Sequence, residues 1–195
     1  GPRRHPETPQ PLRTACGARR SGVASAASRR SEASTVNPPA GEEILKELIE
    51  RFYTAFAAGD VETMASCYHE DARFSDPVFP DLDGKDEVMK MWRTLVGRSD
   101  DINILLGDHA ADDQRGTAHW TATYTFTTTG RPVVNEIDAA MVFRDGLIVD
   151  HKDSFDFWRW SRQALGTPGL LLGWSPMLKK KVQAQSAQLL QDSTA

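Results

Sequence analysis

Apolar residues follow a helical period in the first half of the chain and a two-residue period in the second. Over residues 42–58, Ile44, Leu45, Leu48, Ile49, Phe52 and Phe56 recur on one helix face. Glu42 and Glu43 suit the N-terminal dipole, and Gly59 ends the run. Asp60 stands where it caps a second helix over residues 61–68. His69 and Glu70 then fall at its C-terminus, where a His complements the dipole. Residues 72–75 read as a short strand, 81–84 as a turn, and 85–95 as a third helix carrying Val88, Met89, Trp92 and Leu95 on one face.

Strand periodicity starts near residues 101–107. Over residues 117–128, Ala118, Trp120, Ala122, Tyr124 and Phe126 share one face, and His119 and four threonines the other. A turn at Thr129-Gly130-Arg131-Pro132 leads to residues 133–144, with Ile137, Ala139, Met141 and Phe143 on one face and Asp138 on the other. Asp145-Gly146 turns into a last strand over 147–155. Val149, His151, Asp153 and Phe155 share its apolar face; Ile148, Asp150, Lys152 and Ser154 share the other. Helices over 157–165 and 176–190 follow, split by Thr167-Pro168-Gly169 and Gly173-Trp174-Ser175. This order predicts an α+β domain whose helices cover one face of a curved sheet, an arrangement that can enclose a ligand cavity.

Residues 1–40 have no such period. They are rich in Pro, Arg, Ser and Ala and too poor in apolar surface to offset the entropy of ordering, so a disordered tail is expected. Residues 1–35 hold seven Arg against two acids, a net of +5, leaving −9 for the rest of a chain of net charge −4. Arg-rich, acid-poor composition is also that of an organelle transit peptide, and a non-native segment is a further reading. The expected location is cytoplasmic, or an organelle if the tail is a targeting segment. The chain thus divides into a tail (1–40), an α+β domain (41–156) and a helical extension (157–195).

An acidic body argues against nucleic acid as a partner. No apolar run approaches the roughly 18 residues of a membrane span, so no membrane partner is expected. Cys16 and Cys67 form no paired motif, and metal-ligand spacing, phosphate loop and nucleophile elbow are all lacking. No metal or cofactor is expected. The extension concentrates Phe157, Trp158, Trp160, Trp174 and Leu170–Leu172, which must cover the cavity mouth, the sheet's outer face or a dimer contact. Lys179, Lys180 and Lys181 read as a solvated helix face, with a membrane-surface helix as the alternative.

Candidate chemistry centres on Asp76. Pro77 pushes Asp76 to an extended conformation and breaks the strand there, between Phe74 and the pair Val78 and Phe79. A carboxylate so placed either lines a pocket or only turns the chain. His151 and Asp153, two apart on one strand face, form either an acid/base pair or a hydrogen-bonded core pair. Tyr53 is the spare donor for a polar ligand atom; Trp120, Tyr124 and Met141 are expected as core and cavity wall.

Ala57-Ala58-Gly59-Asp60-Val61, Cys67-Tyr68-His69-Glu70-Asp71-Ala72 and Ser75-Asp76-Pro77-Val78 resemble, spacing included, the start of a ketosteroid isomerase. Phe143-Arg144-Asp145-Gly146-Leu147-Ile148 and His151-Lys152-Asp153-Ser154-Phe155-Asp156 are typical of the wider nuclear transport factor 2-like superfamily. Over residues 42–156 the chain resembles SnoaL-like and ketosteroid-isomerase-like members of it. The resemblance implies a cystatin-like α+β cone, a curved antiparallel sheet wrapped around helices, here with a C-terminal helical extension. It puts Asp76 at the position of the isomerase's proton-shuttling base. Phe52 stands where the isomerase has a Tyr donor, and Ala139 where it has an acid donor. Compared with the limonene epoxide hydrolase pattern, Asp153 falls on the final-strand acid, while Trp120 and Ala122 replace its Arg and second acid.

The expected function is cofactor-free acid/base proton transfer (isomerisation, cyclisation or dehydration) on an apolar small molecule bearing a carbonyl. Asp76 would act as base, and His151 and Asp153 as a polarising or second acid/base pair. Tyr53, Trp120, Tyr124 and Met141 would contact the ligand. The alternative is a non-catalytic ligand-binding or assembly module on the same fold. The expected partners are that ligand and a second copy of the chain as a homodimer.

Overall fold

The computed structural model describes residues 40–98 and 101–192. The expected tail, Cys16 included, lies outside the described residues up to residue 39. The elements are α1 (Ala40–Ala58), α2 (Val61–Ser66), β1 (Tyr68–Ser75), β2 (Leu82–Asp83), α3 (Lys85–Gly97), β3 (Asn103–Ala111), β4 (Arg115–Phe126), β5 (Arg131–Arg144), β6 (Leu147–Ser154), α4 (Phe157–Leu165), α5 (Thr167–Leu172) and α6 (Pro176–Asp192). The strands form one curved six-stranded sheet in the order β2-β1-β6-β5-β4-β3, giving the expected α+β cone. Its pairs are antiparallel except β1 with β6.

The periodicities explain the core. Ile49, Phe52 and Phe56 of α1 and Met89 and Trp92 of α3 pack against the inward residues Ala118, Trp120, Ile137, Ala139 and Met141 of the sheet. Burying each large side chain contributes about 1.5–3 kcal/mol. Ile44, placed on the same α1 face by spacing, is exposed at the N-terminal end of the stripe.

The structure corrects several local readings. α2 stops at Ser66, because the Ile148 amide donates to the Cys67 carbonyl (2.9 Å) and draws the chain into the sheet. His69 and Glu70 therefore lie on strand β1, not at a helix end. There His69 Nδ1 accepts from the Asp71 amide and from Arg144 (both 3.0 Å), and Glu70 pairs with Lys85. Exposed pairs of this kind contribute less than about 1 kcal/mol each. Leu82 and Asp83, expected as a turn, pair with Phe74 and Arg73 as a short strand.

On β6, the pairing with β5 steps from Val142–Asp150 to Phe143–Ile148, leaving Val149 as an extra residue. This bulge reverses the alternation. His151 and Asp153 face inward as expected, but Ile148 does too, and Val149 is only half-buried.

Between the two expected helices of the extension lies a further short helix, α5, which starts at the expected break Thr167-Pro168-Gly169. It lies tight on α4: a Cβ at Gly169 would meet the Ser161 carbonyl oxygen at 1.8 Å, and one at Gly173 would meet Ser161 Oγ at 2.1 Å. Only glycine permits this approach. Gly169→Ala is expected to push α5 off α4 and cost about 2 kcal/mol, roughly 4–8 °C in Tm for a chain of this size. Thermal unfolding checks this, with the exposed neighbour Leu170→Ala expected to leave Tm unchanged. α4 is anchored in turn to β5, where the Gln163 amide group bonds both backbone groups of Val134 (2.9 and 3.0 Å).

Candidate functional site

β1 ends at Ser75, and the next four residues make a tight turn. The Asp76 amide donates to the Phe79 carbonyl (2.8 Å), and Asp76 Oδ1 accepts from the Val78 amide (2.6 Å) and the Phe79 amide. The two sequence readings of Asp76 coincide here. Oδ1 holds the turn, and the residue borders a cavity of about 450 Å³. Oδ2 has no hydrogen bond among the described residues. Phe56, Phe74, Phe79, Trp92 and Trp120 give the cavity an aromatic wall.

Asp153 is the second carboxylate at this cavity. β1 and β6 run parallel with Phe74 opposite His151 and Ser75 opposite Lys152, so Asp76 and Asp153 each directly follow the last paired residues, close enough for the charge of Asp153 to act on Asp76. On its other side Asp153 pairs with Ala139, which pairs with Ala118. These short side chains leave its carboxyl clear. Asp138, the residue beside Ala139, faces outward and bonds His119 (2.8 Å).

Behind Asp153 runs a buried chain of hydrogen bonds. His151 Nε2 lies 3.1 Å from Asp153 Oδ1, and Nδ1 lies 2.6 Å from Tyr68 Oη. Trp92 Nε1–H donates to that same Tyr68 oxygen (3.1 Å). Donor accounting sets the directions. Tyr68 accepts from Trp92 and donates to Nδ1, leaving the imidazole proton on Nε2 to donate to Asp153. His151 is fully buried and Asp153 is 4% exposed, so this satisfaction matters energetically. The rings of Phe52 and Phe74 meet the imidazole edge-on, at 5.6 and 5.3 Å.

Burial pushes the Asp76 carboxyl up to about 7, and the negative charge of Asp153 adds to the rise. The Phe79 and Val78 amides and the Lys179 ammonium act in the opposite sense. Asp76 is only half-buried as a residue because it borders the cavity; the protein packed around its other sides desolvates it. Burial likewise raises the phenols of Tyr53 and Tyr68 well above the ordinary tyrosine value, with Asp153 contributing to both. Burial also raises Tyr124, whose oxygen accepts from Trp160 Nε1–H (2.9 Å).

Of the expected site residues, Asp76, Asp153, Trp120 and Tyr124 line the cavity. His151 stands behind Asp153. Tyr53 is buried with its ring 5.6 Å from Trp120, outside the lining, and Met141 is a core residue paired with His151, also outside it. Tyr53 Oη and Trp120 Nε1 are both buried, and the indole N–H bears on the phenol oxygen at a geometry short of a full hydrogen bond. Sequence reasoning missed Tyr68 and Trp92 as supports of His151. It also left open where the extension packs. α6 supplies cavity wall through Val182, Gln185, Ser186 and Leu189, and the Gln183 side chain donates to the Pro77 carbonyl (3.1 Å).

Known proteins sharpen this picture. No curated protein sequence matches the chain. Among solved structures, TsrD from Streptomyces laurentii is similar, at TM-score 0.56 and 21% identity over 64% of this chain and 96% of that one. So is an epoxide hydrolase of the LEH-like type from M. tuberculosis, at TM-score 0.56 and 18% identity over 67% and 95%. A third is a protein of ketosteroid isomerase-like fold from Catenulispora acidiphila in complex with trimethylamine, at TM-score 0.56 and 11% identity over 67% and 98%. At these identities they establish the fold. The profile of the SnoaL-like domain matches residues 49–151, from the middle of α1 to His151. The chain therefore belongs to the SnoaL-like domain family.

Proposed function

We propose that the cavity moves a proton on an apolar small molecule bearing a carbonyl, in an isomerisation, cyclisation or dehydration, with Asp76 as general base. The observation that carries this reading is a carboxyl held up to about 7 on an aromatic cavity wall beside a second carboxylate. A base of that strength, partly ionised at neutral pH, suits removal of a proton from carbon next to a carbonyl.

Asp76 Oδ2 takes the proton, and the C–H electrons shift into the carbonyl to form an enolate. The proposed donor to that oxygen is Trp120 Nε1–H, which makes no full hydrogen bond among the described residues and otherwise bears on the Tyr53 phenol. The proton returns from Asp76 at another atom. Asp153, oriented by His151, raises the proton affinity of Asp76 and so makes it a stronger base. The alternative reaction, epoxide hydrolysis, loses support because Trp120 and Ala122 replace its Arg and second acid. The homodimer belongs to the same proposal, with Val134 and Val142 exposed on the outer face of β5.

The test is deuterium exchange at the carbon next to the carbonyl of an apolar cyclic ketone in D2O, followed by NMR. The protein is expected to accelerate exchange, with a rate that rises as pH passes through 7 and then levels. Exchange no faster than buffer would favour a non-catalytic binding module. Trp120→Phe is expected to lower the exchange rate by about ten- to hundredfold. Its Tm should change little, because the indole N–H makes no full hydrogen bond among the described residues and bears only on the Tyr53 phenol.

A further inference from the structure

We propose that the corner joining α5 to α6 is a docking surface for anionic lipid, which holds the protein on a membrane surface without crossing it. The corner presents Leu171 at 62% exposure, Trp174 at 75% and Met177 at 69%, flanked by exposed Leu170 and Leu172. Side chains this bare project from the fold instead of lining a groove. They are not left there by a loose tail. Gly169 and Gly173 bring α5 into backbone contact with Ser161, which turns its leucines outward. Trp174 Nε1–H donates to the Leu171 carbonyl (3.0 Å) and Trp158 Nε1–H to the Leu170 carbonyl (3.3 Å). Both indole N–H groups are thus satisfied within the corner, leaving their apolar edges outward.

Charge selects the partner. Residues 36–156 hold 11 basic and 24 acidic side chains, a net of −13. From 157 to 191 there is no acid, and Arg159, Arg162, Lys179, Lys180 and Lys181 give +5. Arg159 pairs with Glu136, and Arg162 lies 4.3 Å over the Trp158 ring. Lys179, Lys180 and Lys181 begin two residues after Met177 and are exposed. A Leu-Trp-Met tip with a lysine collar suits insertion at the headgroup boundary of an acidic membrane. No described helix is long and apolar enough to cross one. The expected absence of a membrane partner is set aside for this interfacial mode alone. α6 starts at this corner and later forms cavity wall.

The experiment is flotation of the full chain with phosphatidylcholine vesicles and with phosphatidylcholine–phosphatidylglycerol vesicles. Binding to the mixed vesicles and weak binding to phosphatidylcholine alone are expected. The arginine-rich residues 1–35 have their own attraction for anionic lipid, so the apolar variants decide. L171S/W174S is expected to lower partition by at least about tenfold with Tm unchanged. Each of K179Q, K180Q and K181Q is expected to lower it by roughly fivefold. Absence of binding to mixed vesicles, or partition unaffected by L171S/W174S, would overturn the proposal. So would sedimentation in which L171S/W174S converts a dimer to a monomer while vesicle binding persists, since a second copy would then cover the corner.

Discussion

Asp76→Asn is expected to lower turnover by about a thousandfold while raising stability above neutral pH. The two effects share one cause. Asn keeps an Oδ1 acceptor for the Val78 and Phe79 amides, so the turn survives. It removes the group that titrates. Unfolded, this carboxyl ionises at about 3.9; folded, it is pushed up to about 7. The folded state therefore holds its proton more tightly. The stability this proton provides is complete below about pH 4 and is lost as pH rises through 7. Three pH units correspond to about 4 kcal/mol at most, and water in the cavity reduces this to about 2. Thermal unfolding at pH 5 and pH 8 spans about two of those three units and is expected to show Asp76→Asn gaining about 1.3 kcal/mol on the wild type between the two. A parallel loss at both pH values would refute the link.

His151→Leu is expected to destabilise the protein by about 3–5 kcal/mol, measured by urea unfolding. The imidazole joins two buried groups. Removing it leaves Asp153 without the Nε2–H donor and the Tyr68 hydroxyl without its acceptor. Hydrophobic volume does not compensate for an unpaired carboxylate at 4% exposure. Asp153→Asn is a milder change, because an amide oxygen still accepts from His151. It takes away the negative charge beside Asp76 and moves the Asp76 titration toward the ordinary carboxylate range. A large stability loss from Asp153→Asn would indicate a charge essential to the core pair itself.

The fold was legible wherever periodicity reports one-sided burial. The α1 stripe and the alternation of β4 and β5 led to the observed faces, and Asp145-Gly146 forms the expected turn, with both residues at positive φ. Reading failed where a tertiary contact overrides a local signal. Tyr68 and His69 look like a helix end until β6 takes up the Cys67 carbonyl. Val149 looks inward until the bulge turns it. Thr167-Pro168-Gly169 and Gly173 read as breaks between helices, although these glycines are the contact that packs α5 on Ser161.

The site was legible in part for the same reason. Asp76 was marked by the Pro77 strand break, and His151 and Asp153 by their shared phase. Nothing local marks Tyr68 or Trp92 as supports of an imidazole so far along the chain. Their meeting depends on the parallel β1–β6 pair. The α6 wall was equally hidden, because its weak stripe does not reveal which surface it covers.

The central claim is a carboxyl tuned to neutral pH at the end of β1. It is tested most directly by following the Asp76 side-chain carboxyl with carbon-13 NMR between pH 4 and 9, with Asp76→Asn to assign the signal. The expected midpoint is about 7 in the wild type, moving lower in Asp153→Asn. A wild-type midpoint near the ordinary aspartate value of about 3.9 would contradict the account.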